Sequence, residues 1–368
     1  MTLHRRDLLK AGAAFSAGAA LPRAAAAQTP DFTPQPGAWR RFEITTRLDI
    51  ASAAGATQAW MPLPSVQADG WHQANGNVWR TNGEAVLHRD PKYGSEMLHV
   101  VFAAGEKAPF VEATSQIATR DRATDFNQPG DAPSLSAAER ALYLESTDLI
   151  PTDGVVKETA DRITAGAATD VEKARAIYEW VVENTFRNAA TRGCGVGDIA
   201  AMLKSGNLGG KCADLNALYV GLARASGIPA RDVYGVRVAP SKFGYKSLGA
   251  GSENITRAQH CRAEVFLAGL GWTPVDPADV RKVVLEEPAT SLALGDPKVA
   301  AARKTLFGAW EGNWLAYNFA HDIALPGSSG PRLGFLMYPQ AETANARLDC
   351  LDPDAFRYMI RSKELTAA

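Results

Sequence analysis

From Trp39 to Ile50 the chain alternates, with Phe42, Ile44, Leu48 and Ile50 on one face and Glu43, Thr45, Arg47 and Asp49 on the other. A period of two predicts a half-buried β-strand. Shorter runs of the same character follow at 57–61, 97–102 and 110–118, separated by turn-forming stretches such as RTNGE and DPKYGSE. The economical reading is an antiparallel all-β unit over about residues 35–125, in which Trp71 and His72 are core or turn residues.

The pattern changes near Asn127-Gln128-Pro129-Gly130-Asp131. In DVEKARAIYEWVVENTF, residues 170–186, Ala174, Ile177, Tyr178, Val181 and Val182 recur at helical spacing behind a capping Thr169 or Asp170. Residues 131–170 read as a linker with lead-in helices. Ile199, Met202 and Leu203 mark a further helix that enters SGNLGGKCADL, residues 205–215. Leu215, Leu218, Tyr219, Leu222 and Ala225 then form one apolar stripe, closed by Gly227 and Pro229. That helix begins at or beside Cys212. After Pro288 an aromatic-rich region ends in predicted strands at 333–338 and 356–361.

At 368 residues, the chain is long enough for two domains, and 46% hydrophobic with 21% charged residues excludes wholesale disorder. The opening MTLHRRDLLKAGAAFSAGAALPRAAAAQ resembles a twin-arginine export signal over residues 1–27, which implies a periplasmic or secreted protein. Its apolar run is too short and alanine-rich to span a bilayer. Removing it takes four of the 39 basic and one of the 40 acidic residues, leaving a net charge of −4. No basic stripe remains to track phosphates, so a nucleic-acid partner is excluded, and no second run of membrane length follows.

SGNLGGKCADL imitates a phosphate-binding loop but lacks its first Gly and its Ser/Thr, and a helix rather than a strand leads into it. The chain has four cysteines, Cys194, Cys212, Cys261 and Cys350, without a C-x-x-C pair. Their wide spacing argues against a zinc ribbon or a redox protein, and leaves room for at most one disulfide beside a reduced thiol. A thiol at a helix N-terminus sits where the dipole and free N–H groups favour thiolate. Taken alone, Cys212 would more often be a packing residue.

A reactive thiolate needs an oriented imidazole. Beyond the signal, His72, His88, His99, His260 and His321 are the histidines. His260 precedes a predicted strand at 262–267. A turn at Gly269–Gly271 leads to a second strand at 272–275, followed by Asp276. An antiparallel hairpin brings His260 and Asp276 together although they are sixteen residues apart. His321-Asp322 is the rival pair, but adjacent residues do not face one another.

The order of a Gly-rich turn into Cys212, RASGIPAR leading to a strand, His260 opening a strand that carries Glu264, and GWTPVDP ending at Asp276 and Pro277 resembles the transglutaminase-like, papain-like cysteine superfamily. The resemblance spans about residues 155–285. It implies Cys212 as nucleophile, His260 as general base and Asp276 as the group that orients it, with no cofactor and no metal. Arg231 and Glu264 match positions of a structural ion pair. Cys261-Arg262 after the histidine departs from the usual small residue and aromatic.

The expected fold is therefore α+β. An N-terminal antiparallel β-sandwich-like domain (28–130) precedes a transglutaminase-like domain (131–325), whose nucleophile helix packs on an antiparallel sheet. A C-terminal extension (326–368) packs on that domain. The expected function is a cysteine-dependent acyl transfer or hydrolysis on a peptide or protein amide, through a thioester. The rival is a catalytically silent binding or assembly protein that keeps the fold.

Overall fold

The computed structural model describes residues 31–51, 55–128, 130–287, 291–344, 346–352 and 356–366. The export signal expected at residues 1–27 lies outside them.

Strand β1 (Arg40–Asp49) buries alternate residues, as its pattern requires. With it come β2 (Thr57–Pro62), β3 (His72–Thr81), β4 (Glu84–Arg89), β5 (Glu96–Phe102) and β6 (Phe110–Thr119). Pairing places β1, β6 and β3 in one antiparallel sheet and β2, β5 and β4 in another. Leu48, Val111 and Ala113 of the first sheet pack against Met61, Leu98, Val100 and Phe102 of the second. Two inner faces closing over one core make a sandwich. The alternation does not reveal β3 and β4, because their outward residues, among them Val78, Val86 and Leu87, are exposed apolar groups. The Asn82-Gly83 turn between them carries the chain from one sheet to the other.

The second unit opens with α1 (Ala137–Leu142) and α2 (Gly154–Thr164). Helix α3 (Asp170–Asn184) starts at Thr169, whose side chain accepts from Glu172 N while Glu172 returns the bond. After α4 (Ile199–Ser205), helix α5 (Cys212–Ala225) runs through the centre of the unit, with every residue buried. It packs on a four-stranded antiparallel sheet of β7 (Ala230–Arg237), β8 (Gln259–Leu267), β9 (Gly271–Val275) and β10 (Trp314–Asn318), ordered β9-β8-β7-β10. Helices α6 (Pro277–Glu286) and α7 (Pro297–Thr305) follow the hairpin. The fold is α+β, with the central helix laid on an antiparallel sheet.

The segment after residue 325, expected as an extension of the second unit, adds an edge strand to each sheet of the sandwich. β11 (Gln340–Glu342) pairs with β2, and β12 (Arg357–Leu365) pairs with β1 along nine residues. Phe42, Ile44 and Ile117 of the sandwich share a core with Leu215, Tyr234, Met337 and Ile360. The chain therefore returns to the sandwich after building the second unit, and the two are joined by continuous apolar packing.

Glu264 lies in β8 opposite Arg231 of β7 and is fully buried. Arg231 donates to it at 2.6 Å and Arg122, from the segment after β6, donates to its other oxygen. Two guanidinium groups on one carboxylate hold Glu264 ionised against the cost of its burial. The cluster pins the end of the sandwich to the second sheet.

Candidate functional site

Helix α5 begins at Cys212 because the chain before it is shaped around Asp214. Asp214 Oδ2 accepts from Lys211 N at 2.9 Å, and Oδ1 accepts from Val196 N and Gly197 N at 2.9 Å each. A Cβ on Gly195 would lie 1.8 Å from this carboxylate, and one on Gly210 would lie 2.5 Å from it. Only glycine fits at either position, and Gly195 also has φ +97°. One carboxylate thus clamps the loop carrying Cys194 onto the helix start, and Ala213 N donates to Cys194 O at 2.9 Å. The Gly209-Gly210 pair imitating a phosphate loop instead makes a short parallel bridge to Phe186–Arg187.

The hairpin forms as its sequence predicts, with Ala263 opposite Val275 and a turn through Gly269 and Gly271. Asp276 leaves β9 and caps α6, accepting from Asp279 N. His260 Nε2 lies 2.7 Å from Asp276 Oδ2 and 3.3 Å from Asp279 Oδ1. Cys212 and this ring line the same cleft, and the His260 charge acts on the Cys212 thiol. The structure therefore brings Cys212, His260 and Asp276 together.

Further groups at the site are not evident in the sequence. Asp279 receives Arg237 Nη2 at 2.5 Å, and this ion pair is almost wholly buried. Asn216, one turn along α5 from Cys212, donates to Asp276 Oδ1 at 3.1 Å and to Cys261 O at 2.8 Å. Its own carbonyl oxygen accepts from Ala278 N. Spacing could have suggested two of these: D-P-A-D places Asp276 and Asp279 in one helical turn, and C-x-x-x-N places Asn216 on the face of Cys212. Arg237 gives no local signal.

Electrostatics follow from this geometry. Burial alone would lower the imidazole of His260, but the Asp279 and Asp276 carboxylates outweigh it and raise it to about 9. Burial alone would raise the thiol of Cys212. Hydrogen bonds from Cys194, Cys261 and His260, with the imidazolium charge, hold it well below the usual thiol range instead. Both shifts favour the thiolate–imidazolium form of the pair.

Cys194, Cys212 and Cys261 lie with their sulfur atoms within 4.8 Å of one another. Spacing along the chain argued for dispersal, and the fold overturns that reading. Cys194 arrives on the Asp214-clamped loop, and Cys261 follows His260 in β8. All four cysteines are free thiols. Arg262, the other departure after the histidine, is buried against the faces of Trp310 and Trp314. His321 lies apart, buried beside Tyr234 and Asp232. His72 is a core residue, with Nδ1 against Val66 O and Nε2 accepting from Ala316 N.

The cleft over Cys212 has a volume of about 250 Å³. Cys194, His260, Gln259, Tyr338 and Tyr358 line it, together with four cationic residues, Arg187, Lys211, Arg257 and Lys282.

A profile described as the transglutaminase-like superfamily matches residues 157–277, from α2 to the first residue of α6. A protein of Haemophilus influenzae, uncharacterised in function, is 36% identical over 346 residues, covering 88% of this chain and 91% of its own length. This chain belongs to the transglutaminase-like superfamily. The crystal structure of a candidate cysteine protease from Cytophaga hutchinsonii is 14% identical, with a TM-score of 0.50 over 89% of this chain and 99% of that one. Its likeness is one of fold, and it extends across the sandwich as well as the transglutaminase-like unit. The periplasmic domain of TgpA from Pseudomonas aeruginosa is 17% identical and covers 65% of this chain and 95% of that one, with a TM-score of 0.34.

Proposed function

We propose that this transglutaminase-like protein is an exported cysteine-dependent acyltransferase or hydrolase acting on a peptide or protein amide. The observation that carries the reading is His260, held by Asp276 and Asp279 through Nε2 and sharing one cleft with a Cys212 thiol of lowered pKa. The Cys212 sulfur attacks the amide carbonyl. The developing oxyanion is met by the Cys212 N–H at the start of α5, the neighbouring Ala213 N being already bonded to Cys194 O. Imidazolium at His260 gives its proton to the departing amine, leaving a thioester on Cys212. Neutral His260 then takes a proton from water or from an acceptor amine, which releases the acyl group. Asp276 fixes the ring, and Asp279 keeps it protonated until the leaving group departs.

The cleft narrows the substrate class. Four cationic side chains and no carboxylate line it among the described residues, which favours an amide carried next to an acidic group. Export is supported by the twin-arginine-like opening, and no described helix is long and apolar enough to cross a membrane.

The test uses a library of acidic and basic peptides, with and without a labelled amine donor, followed by mass spectrometry of the protein and of the products. The expected result is an acyl adduct on Cys212, with acidic peptides preferred. Labelled products identify transamidation and free acids identify hydrolysis. No adduct from any peptide, with the chain folded and Cys212 reduced, would favour the catalytically silent binding protein.

A further inference from the structure

Two of the three converging thiols form no bond to the substrate in acyl transfer. Cys261 is fully buried and touches the Met337 thioether, with sulfur atoms 4.0 Å apart. Cys194 reaches the cleft wall on a loop whose position is fixed by the Asp214 clamp and by Tyr338, whose hydroxyl accepts from Cys194 N at 2.9 Å. Acyl transfer needs one sulfur; this fold presents three to a single point.

We infer that Cys194, Cys212 and Cys261 form a binding site for one zinc ion. In tetrahedral zinc thiolates, bonds of about 2.3 Å set the sulfurs about 3.8 Å apart. Here all three already lie within 4.8 Å of one another, so each moves by only part of an ångström. The three thiols supply three of the four positions, and the fourth falls to water from the cleft that Cys194 and Cys212 line. The site opens to the cleft at Cys194 and Cys212, which gives the ion its entry. Three thiolates favour zinc over magnesium or calcium, which prefer oxygen donors.

Charge and protons balance simply. Binding expels the protons of the coordinating thiols, so that three thiolates face two positive charges. The loaded site carries one net negative charge beside the Arg237 guanidinium. Under the function proposed above, the ion takes the nucleophile and holds the protein in an inhibited form.

The test uses the full chain, reduced and kept anaerobic, with zinc ions alone and with cadmium as a spectroscopic probe. Native mass spectrometry is expected to show one zinc per chain. Cadmium is expected to give sulfur-to-metal ultraviolet absorption of the intensity of three thiolates, and calorimetry in buffers of different ionisation enthalpy should find protons released. C194S and C261S should each weaken zinc binding by at least about tenfold, on the scale of disrupted metal shells, while C350S leaves it unchanged. Absence of a zinc adduct in the wild-type chain, or a cadmium signal of fewer than three thiolates, overturns the inference without recourse to any variant. Neither readout depends on turnover, so zinc binding by a chain that, stripped of metal and reduced, acylates nothing would refute the proposed function and leave the metal site standing.

Discussion

Asp279→Asn removes the charge that does most to keep His260 protonated while preserving the side chain's volume. Asp279 Oδ1 stands 3.3 Å from His260 Nε2. At an effective dielectric constant of about 20, one charge pair at that distance is worth about 5 kcal/mol. Raising His260 from 6.5 to about 9 corresponds to only about 3 kcal/mol, because burial and Arg237 act against the carboxylates. The lost term exceeds the net gain, and the stranded Arg237 cation pushes the same way. His260 in D279N is therefore expected to titrate below its ordinary 6.5. At pH 7 the ring is then neutral, the thiolate loses its counter-ion, and alkylation of Cys212 slows by at least about tenfold, the equivalent of one pKa unit.

The assay is NMR titration of the His260 ring beside the pH profile of Cys212 alkylation. Breaking the buried ion pair costs about 3–5 kcal/mol of stability. R237Q/D279N removes the stranded cation, so it is expected to regain stability while His260 still titrates well below 9. A His260 that titrates near 9 in folded D279N would refute the assignment of Asp279 as the group that holds the imidazolium.

The linked pair also shapes stability against pH. His260, raised from 6.5 to about 9, contributes stability that is full below 6.5 and lost as pH rises through 9. Cys212, held well below its ordinary 9.0, contributes the opposite slope, with stability lost as pH falls through its lowered value. The two slopes oppose one another below 9, so C212A should lose stability more steeply than wild type as pH rises toward 9 in calorimetric melts; parallel curves would contradict the ion pair. Glu264→Gln leaves Arg122 and Arg231 without their shared carboxylate, and denaturant unfolding should show a loss of about 3–5 kcal/mol, against less than about 1 kcal/mol if the cluster is incidental. Iodoacetate should outpace iodoacetamide at Cys212, after correction for their intrinsic reactivities, by an amount that shrinks with salt and in R257E. Equal corrected rates would remove the case for an acidic substrate.

The site was legible in the sequence wherever local pattern fixes geometry. Two glycines and an apolar stripe announce the start of α5 at Cys212, and a short hairpin with Gly269 and Gly271 makes neighbours of His260 and Asp276. What stayed hidden depends on packing between distant segments. The loop bearing Cys194 meets Cys212 only through the Asp214 clamp, and Arg237 finds Asp279 forty-two residues away across the sheet. Sequence spacing made the cysteines look dispersed because loop 193–197, α5 and β8 converge only in three dimensions. The sandwich was similarly half visible. β1 alternates cleanly, whereas β12, which completes its sheet, lies more than three hundred residues later and is recognisable as a strand without any indication of its partner.

Reaction of the reduced chain with a limiting thiol alkylator at neutral pH, read by peptide mass spectrometry, tests the central claim most directly. Cys212 should be modified far faster than Cys194, Cys261 or Cys350, and His260→Ala should slow it sharply. Uniform, sluggish labelling of all four cysteines in folded protein, or labelling of Cys212 that is indifferent to His260, would contradict the account.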